Sequence, residues 1–163
     1  MALQLSVACR NAGLDAYEAT TGTAPILTIR SGAQPANCAA ANSGTVLATL
    51  TLPSDWLAAA SSGAKALAGT WQDASADATG TAAHFRIHDS SGTTCHFQGS
   101  CTVSGGGGQM ILSTVSLTAG QQFTVLTIYS DERLNRNIGG WEMPVSWINS
   151  INPIFVIILS GVF

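Results

Sequence analysis

Charge is what this chain has least of. Asp, Glu, Lys and Arg make up 9% of its 163 residues, against roughly a quarter in an ordinary soluble domain. The 6 basic residues, a single lysine (Lys65) among them, are scattered. They cannot neutralise a run of phosphates, so nucleic acid is not expected as a partner. With 9 carboxylates and 3 histidines, the chain is also poorly stocked for general acid–base catalysis. Its 4 cysteines are too few for a disulfide scaffold. No apolar run approaches the roughly 20 residues that cross a bilayer, so no membrane partner is expected. The stretch from Met1 to Arg10 lacks the basic start and long apolar core of a secretory leader. Synthesis in a cytosol that keeps thiols reduced is the corresponding expectation. No internal repeat is visible.

What is present argues for a packed core. Hydrophobic residues reach 46% with a net charge of only −3, which opposes disorder. Ala, Ser and Thr together form roughly a third of the chain and must supply the surface that charge does not. A helix is predicted from about Ala2 to Glu18. Leu3, Val7, Leu14 and Tyr17 share one stripe, and Arg10, Asn11, Asp15 and Glu18 lie largely elsewhere on the wheel. Thr20 to Pro25 ends it. Strands follow at Ile26 to Arg30 and Thr45 to Leu52, where apolar residues alternate. Between them lies an Ala/Asn-rich loop carrying Cys38. The Ala/Ser/Gly-rich stretch 54–78 is the least readable, with Trp56, Leu57, Leu67 and Trp71 as its large apolar anchors.

The clearest local feature is a hairpin, Thr81 to Asp89 and Thr93 to Thr102, joined by Ser90-Ser91-Gly92. That loop predicts Asp89 opposite Thr93, Ile87 opposite Cys95 and Phe85 opposite Phe97. Ala83, Phe85, Ile87, Cys95 and Phe97 then share the core face, with His84, Arg86, His88, Thr94, His96 and Gln98 on the other. Strands at Gln109 to Thr118 and Gln122 to Ser130 complete the pattern. The expectation is a mainly β protein: an antiparallel sandwich of jelly-roll type over 23–131, preceded by a helix and linker over 1–22.

Candidate chemistry is thin. His84, His88, Cys95, His96 and Cys101 fall within 18 positions, but the register puts cysteines and histidines on opposite faces of the sheet, so no metal site is expected. Cys95 and Cys101 lie too far apart along one strand to pair. A bond from Cys9 or Cys38 to a hairpin cysteine stays open beside the favoured reading of buried free thiols. Gly105 to Gly108 lacks the Gly-Lys-Ser/Thr ending of a phosphate loop. Asp73 and Asp77, and Asp131-Glu132 beside Arg133 and Arg136, read as solvated loop charges. No nucleophile elbow occurs. Neither a catalytic centre nor a cofactor is expected.

The stretch 132–163 is compositionally foreign. From Trp141 onward there is no Ala or Thr, yet the segment holds 2 of the 4 Trp and 2 of the 5 Pro. It ends in an apolar run from Pro153 to Phe163, which reads as a C-terminal extension that must be covered by the chain itself or by a neighbour.

Several pieces, in order, resemble a family of small structural proteins of tailed bacteriophages. They are Leu3-Gln-Leu-Ser with Arg10-Asn-Ala-Gly-Leu-Asp15, Ile29-Arg-Ser-Gly-Ala-Gln-Pro-Ala36, Gly44-Thr-Val-Leu-Ala-Thr-Leu-Thr-Leu52, Gly80-Thr-Ala-Ala-His-Phe-Arg-Ile87, Gly92-Thr-Thr-Cys-His-Phe-Gln-Gly99 and Ser104-Gly-Gly-Gly-Gly-Gln-Met110. The resemblance covers about residues 2–130, and the segment beyond Arg133 departs from it. It implies a virion component assembled in the host cytoplasm. The leading expectation is a capsid decoration (cement) protein that bridges capsid subunits. Its partners would be the major capsid protein and further copies of itself, with a trimer favoured. Contacts would come from Leu3, Val7 and Leu14 on the helix and from Trp141, Trp147, Ile154 and Phe155 beyond the sheet. The alternatives are a tail or baseplate component, or a glycan-binding module in which exposed Trp56 or Trp71 stacks on sugars.

Overall fold

The computed structural model describes residues 5–128, together with the backbone of two short strands at 137–138 and 141–142. The chain is mainly β with one N-terminal helix. Helix α1 spans Val7–Thr21, and the strands are β1 Ile26–Arg30, β2 Val46–Thr51, β3 Gln72–Asp73, β4 Gly80–Thr81, β5 His84–His88, β6 Cys95–Thr102, β7 Met110–Leu112, β8 Ser116–Leu117, β9 Phe123–Ile128, β10 Asn137–Ile138 and β11 Trp141–Glu142.

Seven strands form one sheet in the order β2-β1-β5-β6-β7-β9-β3. Its two ends approach each other, because Asp77 and Ala78, just after β3, donate backbone hydrogen bonds to the Leu47 carbonyl of β2 at 2.8 and 3.2 Å. The sheet is thus a nearly closed, barrel-like surface rather than the two facing sheets expected from strand spacing. Closure satisfies edge groups that an open sheet would expose. A two-stranded ribbon, β4 with β8, lies beside it, and β10 pairs with β11. One step also departs from the antiparallel expectation: β6 and β7 run parallel, Cys101 beside Met110 and Thr102 beside Ile111. The glycine run makes that step compact. A Cβ on Gly106 would stand 2.6 Å from the Thr102 Cβ, and one on Gly108 would meet the Thr102 hydroxyl at 2.8 Å.

The core follows from the register. Ala48, Ile29, Phe85 and Gly99 form one cross-strand row, and Leu50, Leu27, Ile87 and Phe97 form the next. Leu27, Ile29 and Ile87 have no solvent exposure. Trp56 and Trp71 join the same core, their rings tilted by 38° with centroids 5.8 Å apart. Both indoles are 1% exposed, so the rings that a glycan-binding reading needs on the surface are core.

The hairpin differs from its expected register. Phe85 faces Gly99, Ile87 faces Phe97, and a bulge after Ile87 sets His88 against Cys95. The cause is local. The Asp89 carboxylate accepts from the Ser91 hydroxyl and from the Thr93 and Thr94 amides, which enlarges the turn. A slip of two preserves parity, so Phe85, Ile87 and Phe97 stay on the core face. The bulge moves Cys95 to the opposite one.

Helix α1 also differs. It starts later than expected because Ser6 caps it, accepting from the Cys9 amide at 3.2 Å. It runs past Glu18 to Thr21, whose hydroxyl donates to the Tyr17 carbonyl, and ends where Gly22 takes a left-handed φ of 85°. Its polar stripe, not only its apolar one, faces the body. Asn11, Asp15 and Glu18 accept backbone hydrogen bonds from Gly63, Ala60 and Leu57 at 2.8, 2.9 and 3.2 Å. Lys65 bridges Asp15 and Glu18 at 2.7 and 3.2 Å. Burial opposes the Lys65 charge, but the hydrogen bonds to both carboxylates outweigh it and hold its pKa above the usual value. The unreadable stretch after Pro53 is thereby clipped to the helix. It has little sheet pairing of its own beyond β3 and bridges such as Leu57 with Leu67.

Gly99 offers a sharp test of this packing. A Cβ there would stand 2.8 Å from the Phe85 ring and 3.0 Å from the Gln109 Cβ. Gly99→Ala should therefore destabilise the fold by about 1–3 kcal/mol through overpacking, although alanine is the better strand former. Chemical denaturation measures this, and Phe85→Leu in the same chain should recover part of the loss.

Candidate functional site

The most concentrated polar chemistry lies on the outer face of β1, β5 and β6. Sequence alternation assigns that face to solvent, but His84, Arg86 and His88 are 0%, 1% and 4% exposed. Loop 31–44 covers His84 and Arg86, presenting carbonyl oxygens inward, and His88 is held by the Ile26 backbone. The Arg86 guanidinium donates to the carbonyls of Cys38 and Ala40 at 2.6 and 2.9 Å, to the Asn42 side-chain oxygen at 2.8 Å, and to the Cys95 sulfur at 3.2 Å. Arg30 donates to the Ser43 carbonyl at 2.8 Å and the Gly44 carbonyl at 3.4 Å. The Gln98 amide donates to the Pro35 carbonyl at 2.7 Å. His84 Nδ1 lies 3.2 Å from the Gly32 carbonyl, so it must carry the proton and donate. That tautomer leaves Nε2 a bare acceptor, buried without a partner.

The loop is shaped for this task. Its ends are joined by the Ser31 amide donating to the Thr45 carbonyl and the Thr45 amide donating to the Ser31 hydroxyl, at 3.0 and 3.1 Å. A side chain on Gly44 would collide with the Ser31 carbonyl, and its φ is 67°, so this position requires glycine. Burial pushes the pKa of Arg30 down, with the nearby Arg86 charge adding to the effect. The His84 and His88 pKa values are lowered first by burial, and the Arg30 and Arg86 charges act in the same direction. The arrangement is a polar clasp: cations and neutral imidazoles on a sheet, solvated by peptide dipoles. Its donors are engaged in holding backbone.

The residues expected to make contacts are distributed differently from the sequence reading. Leu14 is 8% exposed and belongs to the intramolecular core. Val7 is 47% exposed, and its neighbour Leu5 is 50% exposed, so the start of the helix carries free apolar surface. Leu3, Trp147, Ile154 and Phe155 lie outside the described residues, as does the side chain of Trp141. The five metal-capable residues are split. His84 and Cys95 face the loop side, His88 is buried against the Ile26 backbone, and Cys101 is buried, where desolvation raises its thiol pKa to about 12. His96 lines a shallow cleft of about 170 Å³ with Tyr17, Thr20, Thr21 and Phe97, smaller than the few hundred Å³ typical of organic ligand sites. Among the described residues, no three His, Cys, Asp or Glu are grouped to hold a metal ion, and no helix is long and apolar enough to cross a membrane.

The sequence reading missed the clasp because its partners are loop carbonyls, which leave no residue-type signature. The available signal was the placement of Arg86 in mid-strand and of Arg30 at a strand's end in a chain with so few charges.

Comparison with known proteins is sparse. No family model matches the chain, and no solved structure matches it. A 43-residue segment is 44% identical to a protein described as the uncharacterized transporter YclF of Bacillus subtilis (strain 168). The match covers 26% of this chain and 9% of that transporter's length.

Two outcomes follow from the clasp. Arg86→Met should cost about 3 kcal/mol, because it leaves buried acceptors without donors. Limited proteolysis should then cut first within 31–44, and Arg86→Lys should not restore protection, since an ammonium cannot reproduce the fork. The second outcome concerns pH. His84 and His88 have folded pKa values below the ordinary one, so in acid the unfolded chain takes up protons that the folded chain refuses. Stability should hold above about pH 6.5 and fall below it. The lowered carboxylates Asp15 and Asp89 add a separate loss below about pH 4. A series of melting curves against pH would resolve the two windows.

Proposed function

We propose that this chain is a bacteriophage virion structural protein, acting as a capsid decoration protein that bridges capsid subunits. The observation carrying this reading is that three of the pieces resembling the phage family meet in one place. Arg30 and Pro35 come from the Ile29–Ala36 piece, His84 and Arg86 from Gly80–Ile87, and Cys95 and Gln98 from Gly92–Gly99; all serve the clasp. Residues that carry the resemblance therefore carry the shape of the domain, as a protein acting through its surface requires. The exposed Leu5 and Val7 supply an apolar start to a contact with the major capsid protein or another copy, a trimer being the favoured assembly. A barrel-like sheet serves this role as well as a jelly-roll sandwich would.

A second reading rests on the 43-residue identity with a transporter. On it, the chain shares a segment with a protein described as an uncharacterized transporter, and the β domain is a part that lies outside any membrane.

One fractionation separates these readings. Purified particles and host membranes are probed with an antibody raised against the β domain. A decoration protein should approach the major capsid protein in copy number on a stained gel. A handful of copies per particle would move the assignment to the tail or baseplate. Absence from particles with recovery in membranes would overturn the virion reading and support the second.

A further inference from the structure

Loop 31–44 and strand β6 each contribute one cysteine to the same buried guanidinium. Cys38 places its carbonyl 2.6 Å from one Arg86 nitrogen, and the Cys95 sulfur accepts from another at 3.2 Å. The bulge after Ile87 is what turns Cys95 to this face, where its thiol also donates to the Phe97 carbonyl at 3.2 Å. The two residues flank the same guanidinium, and their thiols are close enough to influence each other's ionisation. Both residues are half-buried, which leaves room for a small reagent to approach. The other two cysteines are placed otherwise: Cys9 is exposed on the helix and Cys101 is buried in the core.

We propose that Cys38 and Cys95 form a redox pair that closes into a disulfide, tying the clasp loop covalently to the sheet. The oxidant is a low-molecular-weight disulfide such as oxidised glutathione. One cysteine thiolate attacks it, forming a mixed disulfide and releasing one small thiolate, which takes up a proton. The second cysteine then attacks the protein-bound sulfur and expels the second small thiol. Two electrons and two protons pass from the protein to the two glutathione molecules, and one S–S bond replaces another. Burial, with the neighbouring Cys95 adding to it, pushes the Cys38 pKa up to about 11, so thiolate is scarce at neutral pH and exchange is slow. The thiols persist in a reducing cytosol, and the bond forms after transfer to an oxidising medium. Because the bridge joins positions 38 and 95, it closes a long loop of the unfolded chain.

The test incubates the full chain with oxidised glutathione overnight and maps peptides by mass spectrometry without reduction. The expected result is a Cys38–Cys95 cross-linked peptide with the loss of two hydrogens, and a melting temperature higher by about 10 °C. A reductant should reverse both. Cys38→Ser and Cys95→Ser should each abolish the cross-link and the shift, while Cys9→Ser leaves both intact. Because a serine variant could melt early for other reasons, the oxidised and reduced wild-type chains are compared directly. Recovery of both cysteines as glutathione adducts or free thiols would overturn the proposal, as would cross-linking of chains through Cys9 alone.

Discussion

The burial of the Arg86 guanidinium is the constraint on which the rest of this structure depends. The charge lies mid-strand and is 1% exposed, and its hydrogen-bond partners are neutral. Such an ion left unsolvated would cost several kcal/mol. The chain meets that cost with the carbonyls of Cys38 and Ala40 and the Asn42 side-chain oxygen, while the carbonyls of residues 32, 35, 43 and 44 serve His84, Gln98 and Arg30 beside it. The path of the loop is therefore dictated from below. The need for glycine at position 44 and the Ser31–Thr45 closure hold the same loop at its far end, where Arg30 takes the Ser43 and Gly44 carbonyls.

The opposite side of the molecule uses the same logic with the sign reversed. There the irregular backbone after Pro53 presents amide N–H groups, and the helix offers Asn11, Asp15 and Glu18 to accept them. Lys65 then balances the two carboxylates. Cations thus gather carbonyls on one flank, and anions gather amides on the other. In both cases a segment with little ladder pairing has its backbone polar groups satisfied by a few side chains on regular elements.

This division explains what was legible in the sequence. Strands β1 and β2, the hairpin and the existence of a helix were readable because period and turn chemistry are local properties. Inward placement of Phe85 and Ile87 survived a register error because a slip of two keeps parity. Cys95 did not survive it, since one bulged residue reverses a face. Alternation also misled for His84, Arg86 and His88: it separates two faces correctly but says nothing about what covers each. For His84 and Arg86 the cover lies some fifty positions upstream, in main-chain atoms that no residue code announces. The helix was misread in a related way. Its Asn11, Asp15 and Glu18 spacing was visible, but a polar stripe is ordinarily a solvated one, and only the unpaired amides of the facing segment make it a contact.

Turning charge inward has a consequence for how the outer surface can associate. Among the described residues, Arg10, Arg30, Lys65 and Arg86 are all at least partly buried, so none of these four cations is fully exposed. Hydroxyls, amides, methyls and a few carboxylates remain. Such a surface exerts little long-range steering, and encounter with a dilute, highly charged partner would be slow. If the proposed association uses the described surface, it would rest on shape and apolar contact, beginning with groups such as Leu5 and Val7. Those properties suit a partner presented many times over on a repeating surface, where local concentration replaces electrostatic attraction. The same economy of charge that holds the loops in place thereby favours the decoration reading over recognition of a soluble ionic ligand.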